Sequence, residues 1–292
     1  VPIPASLQRP IWESDLIDAL SAQPFLGLSA IADRYGAEHP DVRVLTAALD
    51  GVFQYELYNQ RLIDAANTPG ATDGTAAPTD PVGELSAARD LLSWALTQDL
   101  DLKTHPFVQI YLTEAALTVY VAAGVTAALT ISHDLFPLVL AEMHLAAGDF
   151  DHALTVLETA APTHLAELML VDIYSEAGRH QDVLDTTVGI TNTDDVGALL
   201  LVYRGRALCA LGFLDASHTN LTEALRIRSR DPHIRNRAFL ERAQTSIRQH
   251  KYAAARKDLE SVMAVDQNFT GLAALMAQLP TPPSPVPKDS ES

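Results

Sequence analysis

The feature that most constrains this chain is a stretch of self-similar sequence that starts near residue 136. Four segments align: FPLVLAEMHLAAGDFDHALTVLETA (136–160), THLAELMLVDIYSEAGRHQDVLDTTV (163–188), ALLLVYRGRALCALGFLDASHTNLTEAL (198–225) and IRNRAFLERAQTSIRQHKYAAARKDLESVM (234–263). With Ala141, Val171, Gly205 and Ala243 in register, Phe150, His180, Leu214 and Tyr252 also coincide. So do Ala153, Val183, Ser217 and Ala255, and then Leu157, Thr187, Leu221 and Leu259. The offsets between repeats are 30, 34 and 38 residues. A period of this length marks helix pairs that cannot bury an apolar face alone and must stack on their neighbours. Small residues in both helices let the two backbones approach. Gly148, Gly178 and Gly212 fall where a left-handed residue ends the first helix. The residue just after the turn, Phe150 or Tyr252 for instance, is expected to plug the seam.

The pattern of a small first-helix residue followed by A-G-D-F-D-H-A or L-G-F-L-D-A-S resembles the tetratricopeptide repeat over residues 134–263. It departs from that family where Pro137, Glu167, Leu201 and Phe239 replace the usual Trp, and where His250 stands in place of Gly. The resemblance implies a mainly α fold, a right-handed α-solenoid of helix hairpins spanning residues 133–279. It also implies a concave groove lined by the first helix of each repeat, suited to binding a protein or peptide. The matching groove positions are Glu142, Asp172 and Glu176, Arg206, and Arg237, Gln244 and Arg248. Such a groove runs from acidic to basic, and its arginines could hold an anionic peptide end through the planar guanidinium fork. The competing reading is that these charges pair among themselves, as exposed ion pairs commonly do for ~0–1 kcal/mol.

Ahead of the repeats, the spacing of Trp12, Leu16 and Leu20, of Phe25, Leu28, Ile31 and Tyr35, and of Val42, Leu45, Leu49 and Val52 predicts three amphipathic helices within residues 1–66. Residues 67–83, rich in Gly, Pro and Thr, read as a flexible loop. A fourth helix is expected over 84–98, within a segment 84–132 that ends in β-like sequence. The run 107–131 favours strands near 107–112, 117–122 and 125–131, a small antiparallel meander with a tight turn at Ala123–Gly124. A buried helix competes with that reading, because short apolar runs fit both periods. The run is long enough to span a bilayer, yet Glu114, Gln109 and the abundance of Ala and Thr argue against a membrane span. The Pro-rich end, 280–292, reads as a disordered tail.

This order of loose helices, a β-like hairpin and then repeats is similar in layout to the N-terminal domain of the type VII secretion-associated AAA+ ATPases. No G-x-x-x-x-G-K-[ST] occurs in the sequence, so the likeness stops short of the ATPase part.

No catalytic grouping stands out. There is no H-E-x-x-H, no nucleophile elbow and no cysteine pair, so neither a metal nor a cofactor is implied. His144 and His152 fall on different helices of the first repeat, and His180 and His250 in turns. Cys209, the only cysteine, reads as a buried small hydrophobe and fits a reducing, cytoplasmic setting. Glu114 reads as a turn residue. Arginine outnumbers lysine 16 to 4, which suits a GC-rich bacterial genome.

Charge is uneven. Residues 1–200 carry 28 acidic and 7 basic side chains, whereas residues 201–292 carry 9 and 13. The basic excess lies in 226–257, and the whole chain has a net charge of −17. Such asymmetry points either to an anionic partner or to internal pairing. A nucleic-acid-associated or regulatory role through 226–257 is the alternative to a protein-binding scaffold, and the overall acidity weighs against it.

Overall fold

The computed structural model describes residues 9–22, 24–67, 81–122, 125–131 and 135–280. It divides into two compact units, Val1–Met169 and Leu170–Ser292.

In the first unit the three expected stripes form α1 (Ile11–Ser21), α2 (Ser29–Tyr35) and α3 (Pro40–Asn67). Trp12, Leu16, Ile31, Val42, Leu45, Leu49 and Val52 are all buried. Phe25 and Leu28 precede α2 instead of lying on it, because Gly27 turns the chain at a φ of 85°. The buried Asp50 of α3 fixes that turn, accepting hydrogen bonds from the Leu28 N–H at 2.9 Å and the Gln54 amide at 2.7 Å. The fourth helix, α4 (Pro81–Leu96), packs along α3. Gly51 lies at their contact, where a Cβ would stand 2.9 Å from the Ala88 carbonyl oxygen. Of the expected flexible loop, residues 68–80 lie outside the described residues.

The β-like run resolves into a helix and a hairpin. The segment near 107–112, expected to be a strand, is instead α5 (Pro106–Tyr111). Pro106 occupies the first helical turn, where its missing N–H costs nothing, and the His105 ring accepts from the Phe107 N–H at 3.2 Å. Phe107, Val108, Tyr111 and Leu112 then share one helical face, with the Phe107 and Tyr111 rings tilted against each other at 4.9 Å. The other two segments pair antiparallel as β1 (Ala116–Ala122) and β2 (Val125–Thr130), from Ala116 opposite Thr130 to Ala122 opposite Val125. A register shift falls between Tyr120 and Ala122, and the expected turn at Ala123–Gly124 lies outside the described residues. Leu117, Val119 and Val121 bury one face of β1. Glu114 is exposed in the turn that leads into the hairpin.

The first repeat forms α6 (Leu135–Ala146) and α7 (Phe150–Thr159). The others form α8 (His164–Glu176) with α9 (His180–Thr186), α10 (Asp195–Ala210) with α11 (Leu214–Ala224), and α12 (Pro232–Arg248) with α13 (Tyr252–Met263). A short α14 (Leu272–Met276) covers the last pair, placing Leu272, Leu275 and Met276 against the cluster of Ala243, Ala255, Leu259 and Val262. Of the tail, 281–292 lie outside the described residues.

All four hairpins turn in the same way. Gly148, Gly178 and Gly212 are left-handed, with φ of 74°, 70° and 89°. His250 adopts the same conformation at 60°, the one non-glycine residue with positive φ among the described residues. Each turn closes with the same pair of bonds, for example Gly212 N–H to the Cys209 carbonyl and Phe213 N–H to the Leu208 carbonyl. His250 and Lys251 repeat them onto Ile247 and Ser246. This arrangement satisfies carbonyls that the helix end leaves free.

The aligned small and apolar positions are buried in every repeat, from Ala141, Ala153 and Leu157 in the first to Ala243, Ala255 and Leu259 in the last. Full burial of one leucine contributes about 1.5–3 kcal/mol, so these seams outweigh any exposed ion pair on the surface. The expected plug is absent in the first repeat: Phe150 is 55% exposed.

Candidate interaction face

In the second unit, three first helices present a ladder of polar side chains. One rung links α8, α10 and α12: the Tyr203 hydroxyl donates to the Asp172 carboxylate, and Arg237 donates to the Tyr203 oxygen at 3.2 Å. The Arg237 guanidinium also lies 5.1 Å from the centre of the Tyr203 ring, a cation–π contact. Burial pushes the Tyr203 hydroxyl well above its ordinary range, so it stays protonated and able to donate.

The next rung carries Glu176, Arg206 and Glu241. Arg206 bonds Glu176 at 3.3 Å and lies 4.0 Å from Glu241. Burial raises the Glu241 carboxyl above the usual carboxylate range, against the pull of Arg206 and Arg237. Further along α12, Gln244 is half-buried, and Arg248 reaches back to donate to the Cys209 carbonyl at the end of α10. Cys209 is free and buried.

The structure thus brings Asp172, Glu176, Arg206, Arg237, Gln244 and Arg248 onto helices of one unit, each charge engaged by a neighbour. Tyr203 and Glu241 were not among the expected positions. Their signal was periodicity: Tyr203 stands one turn before Arg206, and Glu241 one turn after Arg237. Glu142 stands apart. It lies on α6 in the first unit, where it accepts the Tyr120 N–H of β1 at 3.0 Å beside the Tyr55 hydroxyl. Burial pushes its carboxyl up to about 7.

The basic segment 226–257 is partly paired internally. Arg226 bonds Glu223 at 2.8 Å, Arg242 bonds Asp258 at 2.7 Å and Arg230 bonds Asp195 at 3.1 Å.

Turning to metal chemistry, the first hairpin turn gathers His144, Asp149 and His152, whose ligand atoms lie within 4.8 Å of one another. These residue types could share a divalent cation. The same Asp149 carboxylate caps α7 and bonds both rings, at 3.3 Å and 2.8 Å. Burial lowers the His144 pKa, against the opposing pull of the Asp149 carboxylate. Among the described residues, no helix is long and apolar enough to cross a membrane.

With the geometry in place, comparison with known proteins shows the fold. The chain is similar to the N-terminal domain of the EccA1 ATPase from the ESX-1 secretion system of Mycobacterium tuberculosis. The TM-score is 0.56 at 18% identity, covering 91% of this chain and 89% of that one. No family model matches, and no curated protein matches. At this identity the likeness establishes the architecture, mainly helical with a small antiparallel hairpin.

Proposed function

We propose that this chain is a non-catalytic scaffold that binds a protein or peptide along the first-helix face of its second unit. The single observation that carries this reading is the two-rung ladder joining Asp172, Tyr203 and Arg237, and Glu176, Arg206 and Glu241. The inner rung holds its donors and acceptors in fixed positions, so little side-chain entropy is lost when a partner docks. The outer rung is exchangeable. The Arg206 and Glu176 side chains are 37% and 64% exposed, and such a pair is worth only ~0–1 kcal/mol. An incoming carboxylate, such as a peptide's anionic end, replaces Glu176 at small cost and gains the guanidinium fork.

The fold shared with the EccA1 N-terminal domain supports a scaffold role in general. Within these 292 residues there is no nucleotide-binding loop, so the reading does not extend to ATP hydrolysis. The lone buried thiol and the excess of arginine over lysine fit a bacterial cytoplasmic setting.

The test is capture of partners from native-cell extract on the full chain, followed by affinity measurement with the purified partner. Arg206→Glu together with Arg248→Glu is expected to weaken binding roughly tenfold or more while melting stays cooperative. Unchanged affinity in a folded double variant overturns the groove assignment.

A further inference from the structure

Helix α12 presents a basic surface on its other side. At about 100° per residue, Arg235, Phe239 and Arg242 point roughly opposite to Arg237, Glu241 and Arg248. On that side, α11, α12, α13 and the connection between α11 and α12 border two adjoining open hollows of about 630 and 460 Å³, which share His218, Arg228, Arg235, Phe239 and Arg242. Arg226 borders the first hollow and Lys257 the second.

The charges here do not cancel. The cleft's two carboxylates are already committed, Glu223 to Arg226 at 2.8 Å and Asp258 to Arg242 through two bonds at 2.7 and 2.9 Å. Arg228, Arg235 and Lys257 have no carboxylate partner among the described residues. The Nε of Arg235 is buried without a hydrogen-bond partner. These three cations stand together within the basic segment of a chain whose net charge is −17.

We propose that this cleft binds a short, carboxylate-rich peptide segment. The hollows admit a few residues, and guanidinium groups match carboxylates two oxygens at a time. Nucleic acid fits less well. Phe239, the larger of the cleft's two rings (the other is His218), is flanked by Arg235 at 5.7 Å and Arg242 at 5.5 Å, so its faces are not free to stack bases. The chain's overall negative charge also repels a long polyanion, whereas a short segment inside the cleft feels the local cations within a Debye length.

The experiment is fluorescence anisotropy of a labelled oligoglutamate peptide with the full chain, run against a thymidine oligonucleotide of equal charge. The peptide is expected to bind, to weaken several-fold when salt is raised from about 50 to 200 mM, and to weaken roughly tenfold in Arg228→Ala with Lys257→Ala. Both side chains are exposed, so the double variant keeps the fold. No peptide binding by the wild type, binding unchanged in the double variant, or tighter binding of the oligonucleotide overturns the proposal. Oligoglutamate binding that is lost in Arg206→Glu with Arg248→Glu but kept in Arg228→Ala with Lys257→Ala places the peptide on the first-helix face and overturns the proposal.

Discussion

Gly205 and Leu221 meet so closely that a Cβ on Gly205 would stand 2.5 Å from Cγ of Leu221 and 2.7 Å from its Cδ2. Leu221 is fully buried and also packs against Leu201, Val202 and Ala238. It therefore has nowhere to move. One turn away, the Ser217 hydroxyl donates to the Gly205 carbonyl at 2.8 Å and lies 2.8 Å from the Thr245 hydroxyl, tying α10, α11 and α12 together. Gly205→Ala should cost about 1–3 kcal/mol through overpacking, and Gly205→Leu should abolish cooperative melting. Thermal unfolding followed by circular dichroism checks both, and a wild-type midpoint for the leucine variant would refute the seam.

His250 does the work of glycine at the last hairpin turn. Its φ of 60° carries a left-handed penalty of ~1–2 kcal/mol, only partly offset by its ring contact with Tyr252. His250→Gly relieves that strain but adds ~0.4–1 kcal/mol of unfolded-state entropy. The balance predicts a net stabilisation of about 0.5 kcal/mol in urea titration. The same substitution logic predicts the opposite result at Gly212, where Gly212→Ala should destabilise because φ is 89°.

These two sites show what was legible in the sequence. The repeat register held at its small and apolar seam positions, though not at the ring position of Phe150, because a fixed period reports which residues must face inward but not how far a bulky one gets. The helix at 107–112 was hidden for the converse reason. A six-residue run of Phe, Val, Ile and Tyr satisfies both periods, and the deciding features, the His105 cap and Pro106, lie just outside it. The ladder was half legible. Its charges lie at recognisable first-helix positions, but Tyr203 bonds Asp172 and Arg237 from 31 and 34 residues away, a relation that only the folded chain creates.

Glu142 gives the first unit a pH dependence. Its carboxyl titrates near 7 in the folded chain against an ordinary value of 4.5, chiefly because burial disfavours the charge. Between those values the folded state holds a proton that the unfolded state releases, so this group's effect is to lower stability as pH rises through that window. Glu142→Gln keeps an oxygen for the Tyr120 N–H and removes the titration. Relative to wild type, the variant should gain on the order of 2 kcal/mol near pH 8 and nothing near pH 4. Melting curves across pH decide it; a constant difference would place the cost elsewhere.

Tyr203→Phe separates the inner rung from the apolar core around it. The ring and its contact with Arg237 remain, while Asp172 and Arg237 lose the hydroxyl between them. A hydrogen bond to a charged group is worth about 1.5–3 kcal/mol, so chemical denaturation should show a loss of that size. Combining it with Asp172→Asn should cost less than the sum of the two, since both remove one interaction.

The most direct measurement of the central claim is site-specific photo-crosslinking. A photoreactive side chain at Gln244, on the ladder face of α12, is compared with one at Glu260, exposed on α13. The captured partner should form an adduct from position 244 and little from position 260. Equal yields from the two positions, or an adduct from 260 alone, would contradict recognition through the first-helix face.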